Sequence, residues 1–182
     1  DALEAKSVTT NLFVGSNNFN GGELAGALVK GFDSEGDRVL LLNGAEQSQT
    51  AADRREGFLA ALNTSSGIEV VERGASWRRP QARTTTASLL SFGEEFDAVF
   101  AANDEMALGA LAAYTDSDAI TPPIIGFDAI QEAREAVTSG QLFATIAQDP
   151  SAMGRASIRA IPSASNSVGA VELVPLKVVD GE

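Results

Sequence analysis

The sequence predicts a three-layer α/β sandwich built on a mainly parallel, doubly wound sheet. Three observations carry that expectation. Strand and helix signals alternate along the chain with short connections, the rhythm of βα units. The strand runs, such as Val39-Leu40-Leu41-Leu42 and Ala98-Val99-Phe100-Ala101, are continuously apolar, as strands covered on both faces require. And 182 residues with 44% hydrophobic content can bury one core, in a single domain or a domain with appendages.

In chain order, the first predicted strand, 11–15, runs into a Gly-rich loop and a helix at 22–31. Strand 38–42 ends at Asn43 and is followed by helix 50–63, then strand 68–72 and helix 81–92. Strand 97–101 passes through Asn103-Asp104 straight into an Ala- and Leu-rich helix at 104–113. Strand 123–127 leads to helix 129–139, and strand 143–147 to helix 151–161. Asp104 and Asp128 are expected N-caps, their charge placed favourably against the helix dipole. Gly140 fits the C′ position that closes the helix before Phe143. The low-complexity run Pro162 to Gly169 reads as a loop, and 171–179 as a last strand. There is no internal repeat.

Composition removes several function classes. With neither Cys nor His, the chain has no disulfide framework or thiolate, and lacks the commonest general base and metal ligand; no metal or cofactor is expected. A formal charge of −12 argues against nucleic acid or an anionic membrane as partner. No apolar run approaches bilayer length, and the start, Asp1-Ala2-Leu3-Glu4-Ala5-Lys6, does not read as a signal peptide, so a mature or trimmed chain is expected. No Walker A motif or GxGxxG spacing is present, and no pair of acids is held at a defined separation; no catalytic residue is assigned.

The polar residues of interest lie where strands give way to helices or loops: Asn43, Asn103, Asp128 and Gln148. Parallel strands expose their carboxyl ends along one edge, so these side chains would converge on one crevice. Amides and carboxylates bond neighbouring hydroxyls as donor and acceptor, which suits a polyol. Trp77, the only Trp, and Phe127 can offer flat apolar faces, and Arg54 and Arg55 a fork of donors at the same rim. Each also has a plainer role: Asn and Asp after a strand cap helices, Phe127 is core, Trp77 covers a core edge, and paired arginines are solvated. Position alone leaves the two roles open.

Nearly the whole chain resembles the periplasmic sugar-binding protein family (type I solute-binding fold, ribose-binding-like), whose lobes are flavodoxin-like. Phe13-Val14-Gly15-Ser16-Asn17-Asn18 with Gly21-Gly22 is similar to the family's hinge strand and the helix start after it, with Asn17-Asn18 where Asp-Asn is usual. Arg54-Arg55-Glu56-Gly57-Phe58 resembles the R-x-x-G-F helix, whose Arg contacts the sugar. Trp77 stands where the family places an aromatic. Ala98 to Ala110 resembles the family's hallmark strand and helix, and Asn103, with Asp128 in Gly126-Phe127-Asp128, matches its typical ligand-bonding positions; Ala129 follows where Gly is common. Ala144 to Pro150 with Met153-Gly154 is similar to the ATIAQDP..MG signature, whose Gln, here Gln148, bonds ligand where the chain crosses between lobes. Asp1 would match a ligand-contacting acid at the end of the first lobe.

The resemblance implies a non-catalytic solute receptor of an ABC-type importer. It would bind a small sugar or polyol between two hinged lobes and signal to a membrane permease, in the periplasm or lipid-anchored outside the cell. The ligand set would be Asp1, Arg54, Trp77, Asn103, Phe127, Asp128 and Gln148, with Ser16, Asn17 and Asn18 at the hinge. Residues 1–16 would be a remnant of the first lobe and the hinge strand. Residues 17–148 would form the second lobe, and 149–182 a crossing segment, a further first-lobe remnant and a returning strand. Only half the cleft would be present, so sugar binding by the isolated chain is expected to be weak or absent. Its orphan segments would self-associate or pair with the missing lobe. The alternative is the effector-sensing domain of a lactose-repressor-type transcription regulator; a flavodoxin-like enzyme or a homodimeric structural domain is a third class.

Overall fold

Neighbouring residues of single strands feed two separate cores, which is what makes the molecule a three-layer sandwich. The computed structural model describes residues 12–32, 37–63, 67–164 and 170–181. Within it, β1 (Leu12–Ser16) and α1 (Asn18–Lys30) precede β2 (Arg38–Asn43), α2 (Gln49–Leu62), β3 (Glu69–Gly74), α3 (Arg79–Ser91) and β4 (Ala98–Ala101). There follow α4 (Asp104–Thr115), β5 (Ile124–Asp128), α5 (Gln131–Thr138), β6 (Ala144–Ala147), α6 (Pro150–Ala164), β7 (Ala170–Val174) and β8 (Lys177–Asp180). Val39 and Leu41 of β2, with Ala98 and Phe100 of β4, face a core closed by Ala25, Val29, Phe58 and Leu62 of α1 and α2. Leu40, Leu42, Val99 and Ala101 point the other way, into a core closed by α3, α4 and α5.

The six-stranded sheet has the order β3-β2-β4-β5-β6-β8, parallel except for β8, which runs antiparallel to β6. From β2 the chain steps outward to β3 and then returns to place β4 on the other side of β2. That reversal opens a crevice at the carboxyl ends of β2 and β4. A separate parallel pair, β1 and β7, runs from Leu12 opposite Ala170 to Ser16 opposite Val174. Ile158 and Ile161 of α6 and Val171 and Leu173 of β7 are exposed, Ile158 by 70% and Val171 by 63%.

Helices α1 and α2 approach closely because glycines leave out the side chains that would separate them. A Cβ on Gly57 would sit 1.9 Å from the Phe19 carbonyl oxygen, and one on Gly22 2.1 Å from that of Arg54. Phe58, next to Gly57, stacks on Phe100 with ring centroids 4.7 Å apart. The R-x-x-G-F spacing therefore puts Arg54, Gly57 and Phe58 on one buried helix face.

Several expectations need correction. Helix α1 starts at Asn18 rather than 22, because the Asn17 side chain accepts the Asn20 N–H at 3.0 Å and caps it early. The expected strand 171–179 is two strands in different sheets, divided at Pro175-Leu176. Helix α6 continues through Pro162 to Ala164, into the expected loop; 165–169 lies outside the described residues. Neither Asp104 nor Asp128 is an N-cap: Asn103 caps α4, and Ile130 occupies the cap position of α5 without a side-chain bond. Gly140 does close α5, at φ +72°, with its N–H and that of Gln141 reaching back to the carbonyls of Val137 and Ala136.

Candidate functional site

Arg54 organises the carboxyl edge of the sheet. Ser48 caps α2 by accepting the Ala51 N–H, and the next turn carries Arg54 inward until it is only 4% exposed. A guanidinium that deep must be partnered. Its Nη1 donates to the Ala102 carbonyl at 2.6 Å, its Nε to Asn18 Oδ1 at 2.9 Å, and its Nη2 to Asp128 Oδ1 at 3.2 Å. Its carbon lies 3.5 Å from the Phe127 ring centroid and 5.6 Å from that of Trp77, within cation–π range. Burial pulls the Arg54 pKa down, and Asp128 opposes that pull.

Asp128 faces Arg54 because the backbone turns sharply at the end of β5. Its φ is +105° and that of Ala129 is +54°, both in the left-handed region. A Gly is expected where Ala129 stands, and this φ is the physical reason. Besides Arg54, Asp128 Oδ1 accepts from Gln148 Nε2 at 2.5 Å. Burial raises the Asp128 pKa, against the pull of Arg54 and Gln148. Gln148 Oε1 in turn accepts from Ser16 Oγ at 2.8 Å, so β1, β5, the segment after β6 and α2 meet at this cluster.

Asn103 takes the first of its two expected roles, that of a helix cap. Its Oδ1 is spent on the Met106 N–H at 2.9 Å, as a cap, while its Nδ2 reaches the Trp77 carbonyl at 3.4 Å. Trp77 is half-buried at φ +67°; its ring lies where a Cβ on Gly44 would be, 2.2 Å from that position. Phe127 is fully buried beneath the guanidinium, so it seats Arg54 and does not offer a flat face to a ligand. Asn17 caps α1, and Asn18 holds Arg54 while its Nδ2 reaches the Ser16 carbonyl at 3.4 Å. Asp1 lies outside the described residues. Arg55 and Asn43 turn aside to Glu72 on β3: Arg55 Nη2 donates to it at 2.7 Å and Asn43 Nδ2 at 2.9 Å. These bonds hold the Glu72 carboxyl below its ordinary pKa.

The sequence reading missed how Asp104 is used. Expected as a cap, it is the first helical residue of α4 and 1% exposed. Its Oδ1 accepts from Thr145 Oγ1 at 2.6 Å and its Oδ2 from the Ile130 N–H at 2.7 Å. Both partners are distant in sequence, so no local pattern announces them. Burial raises its pKa from 3.8 to about 6 despite those bonds. The folded chain then holds this proton more tightly than the unfolded chain. Its contribution to stability is complete below about pH 4 and is lost as pH rises through about 6. Urea unfolding across that range should show the stability of the wild-type chain falling relative to Asp104→Asn, with a flat difference above it. A rising difference would contradict the assignment.

Chemically the edge offers both polarities. The Arg54 guanidinium and the Gln148 amide donate to the Asp128 carboxylate, and the Asn103 amide follows the Ala102 carbonyl that Arg54 holds, so donors and acceptors are set close together there. Among the described residues no cluster of three acidic side chains could hold a metal, and no helix is long and apolar enough to cross a membrane. A groove of about 670 Å³ between α3, α4 and α5 is lined by Arg79, Arg83, Asp116 and Glu132 among others, and includes none of the edge residues.

In open α/β sheets the crevice at the switch point, outside the carboxyl ends of the strands, is where small ligands are held, and these polar side chains converge there. The chain belongs to the periplasmic binding protein domain family, which it matches over residues 1–166. It is 35% identical over 141 residues to the ribose import binding protein of Salmonella typhimurium, covering 78% of this chain and 48% of that protein. To the D-allose-binding periplasmic protein of Escherichia coli it is 29% identical over 167 residues, covering 91% of this chain and 52% of that one. The solved solute-binding protein of Actinobacillus succinogenes with bound D-allose superimposes with a TM-score of 0.83 at 31% identity, covering 92% of this chain and 60% of that one. That of Bacillus halodurans with bound myo-inositol gives 0.85 at 29% identity, covering 94% and 61%. The chain thus spans about half the length of the curated relatives it matches.

Proposed function

We propose that this chain supplies one wall of a sugar- or polyol-binding cleft in a periplasmic solute receptor of an ABC-type importer. Binding involves no covalent chemistry. The observation that carries this reading is the meeting of a buried guanidinium, a carboxylate and two amides (Arg54, Asp128, Asn103, Gln148) on one sheet edge. That mixture matches the vicinal hydroxyls of a small polyol, each both donor and acceptor. The relatives named for ribose and allose, and the solved structures holding allose and myo-inositol, support the same ligand class.

In this reading residues 17–148 form the second lobe. Residues 1–16 and 149–182 hold the hinge, the crossing segment and parts of the first lobe, with β8 returning to the main sheet. The exposed apolar residues of α6 and β7 pack against the remainder of that first lobe. Closure of the two lobes is then what a permease senses. One wall alone leaves the ligand half-solvated, so affinity is weak. Fluorescence of Trp77, the only Trp, tests this by titration with ribose, allose and myo-inositol. A weak response abolished in Asp128→Ala is expected. Tight binding by a monomer overturns the half-cleft, and an undiminished response in Asp128→Ala overturns the site.

A further inference from the structure

Behind the Asp128 turn lies a buried polar relay that the binding account does not use. Asp104 Oδ2 accepts the Ile130 N–H, and its Oδ1 accepts the Thr145 hydroxyl, whose oxygen in turn accepts the Ala129 N–H at 3.2 Å. Two consecutive amides of the turn are therefore secured from one carboxylate. We propose that Asp104 is a positioning residue: through Thr145, Ala129 and Ile130 it holds the turn that aims the Asp128 carboxylate at Arg54 and the cleft. The inference rests on reading that edge as a ligand site.

Three features of the structure support it. Asp128 and Ala129 both sit at positive φ, a pair of conformations that L residues rarely adopt and that needs an external hold. Asp104 is not needed as a cap for its own helix, because Asn103 does that work. And Gly126, two residues before Asp128, makes room for the carboxylate: a Cβ there would lie 2.2 Å from Asp104 Oδ1. The charged groups acting on Asp104 are Asp128, from the end of β5, and Arg54, from α2. A buried carboxylate that its own helix does not need as a cap thus stands behind Asp128.

The test is carbon and nitrogen NMR of the full chain across pH, read at the Asp128 carboxyl, the Arg54 Nε and the Ile130 amide. In the wild-type chain the Ile130 amide should titrate together with Asp104. In Thr145→Val, and in Asp104→Ala if it folds, Asp128 should lose Arg54 and Gln148. Its midpoint should then rise by about one pH unit, tenfold in proton affinity. Thr145→Ser should restore the wild-type midpoint. Loss of stability in Thr145→Val with the Asp128 midpoint and Arg54 signal unmoved would overturn the proposal, leaving Asp104 a purely structural group. Sugar titration of the same samples separates the two readings. If Asp128 responds to Thr145→Val while no sugar perturbs the wild-type edge, the positioning role stands and the receptor reading falls. If sugar binds Thr145→Val as it binds the wild type, the positioning role falls.

Discussion

Arg54→Ala is expected to lower the stability of the chain by about 3–5 kcal/mol, the range for breaking a buried ion pair by removing one partner. Against a typical domain stability of about 5–15 kcal/mol, that is a large share. The loss has identifiable parts. The Ala102 carbonyl and Asn18 amide oxygen lose their donor, Asp128 keeps a charge with no cation beside it, and the Phe127 ring loses the group that covers it. The neighbouring Arg55 provides the internal control. It is 41% exposed and pairs with Glu72 at the outer strand, so Arg55→Ala should cost no more than about 1 kcal/mol. Urea unfolding of the two variants decides the matter; equal losses would mean that the buried network contributes nothing special.

The second large effect concerns Gly57. In an open helix, Gly→Ala gains up to about 1 kcal/mol from propensity alone. At Gly57 the added methyl would meet the backbone of α1, which no rotamer change can move aside. Gly57→Ala should therefore destabilise by about 1–3 kcal/mol, the usual cost of overpacking. It should also displace Arg54 one turn away, because the same helix face carries both. Gly154 in α6 is exposed, with nothing within 4 Å of an added Cβ, and Gly154→Ala should stabilise by about 0.5–1 kcal/mol. The opposite signs of one substitution at two helical sites, measured by chemical denaturation, test the close packing of α1 on α2. A stabilising Gly57→Ala would refute it.

What could be read from the sequence follows from where the relevant forces act. The strands β2, β4, β5 and β6 are legible because burial on both faces writes continuous apolar runs into the chain. The strand-end positions of Asn103, Asp128 and Gln148 follow from those runs. The passage from β7 to β8 is different: Pro175 marks the break, but only the long-range pairing of β7 with β1 and of β8 with β6 shows that the two halves belong to different sheets. Asp104 and Asp128 look like caps from local chemistry. Their actual partners, Thr145 and Ile130 for one, Arg54 and Gln148 for the other, lie between 20 and 74 residues away along the chain. Phe127 was expected to present a face to a ligand. Only the fold shows that Arg54 already covers it.

The central claim is that the edge formed by Arg54, Asn103, Asp128 and Gln148 recognises a small polyol. Its most direct test is side-chain NMR of this chain with ribose, allose and myo-inositol at near-saturating concentration. Shifts confined to the Arg54 Nε, the Asn103 and Gln148 amides and the Trp77 indole, at weak affinity, are the predicted result. Shifts that fall instead on the groove of Arg79, Arg83 and Glu132, or no shift with any of the three sugars, would contradict it.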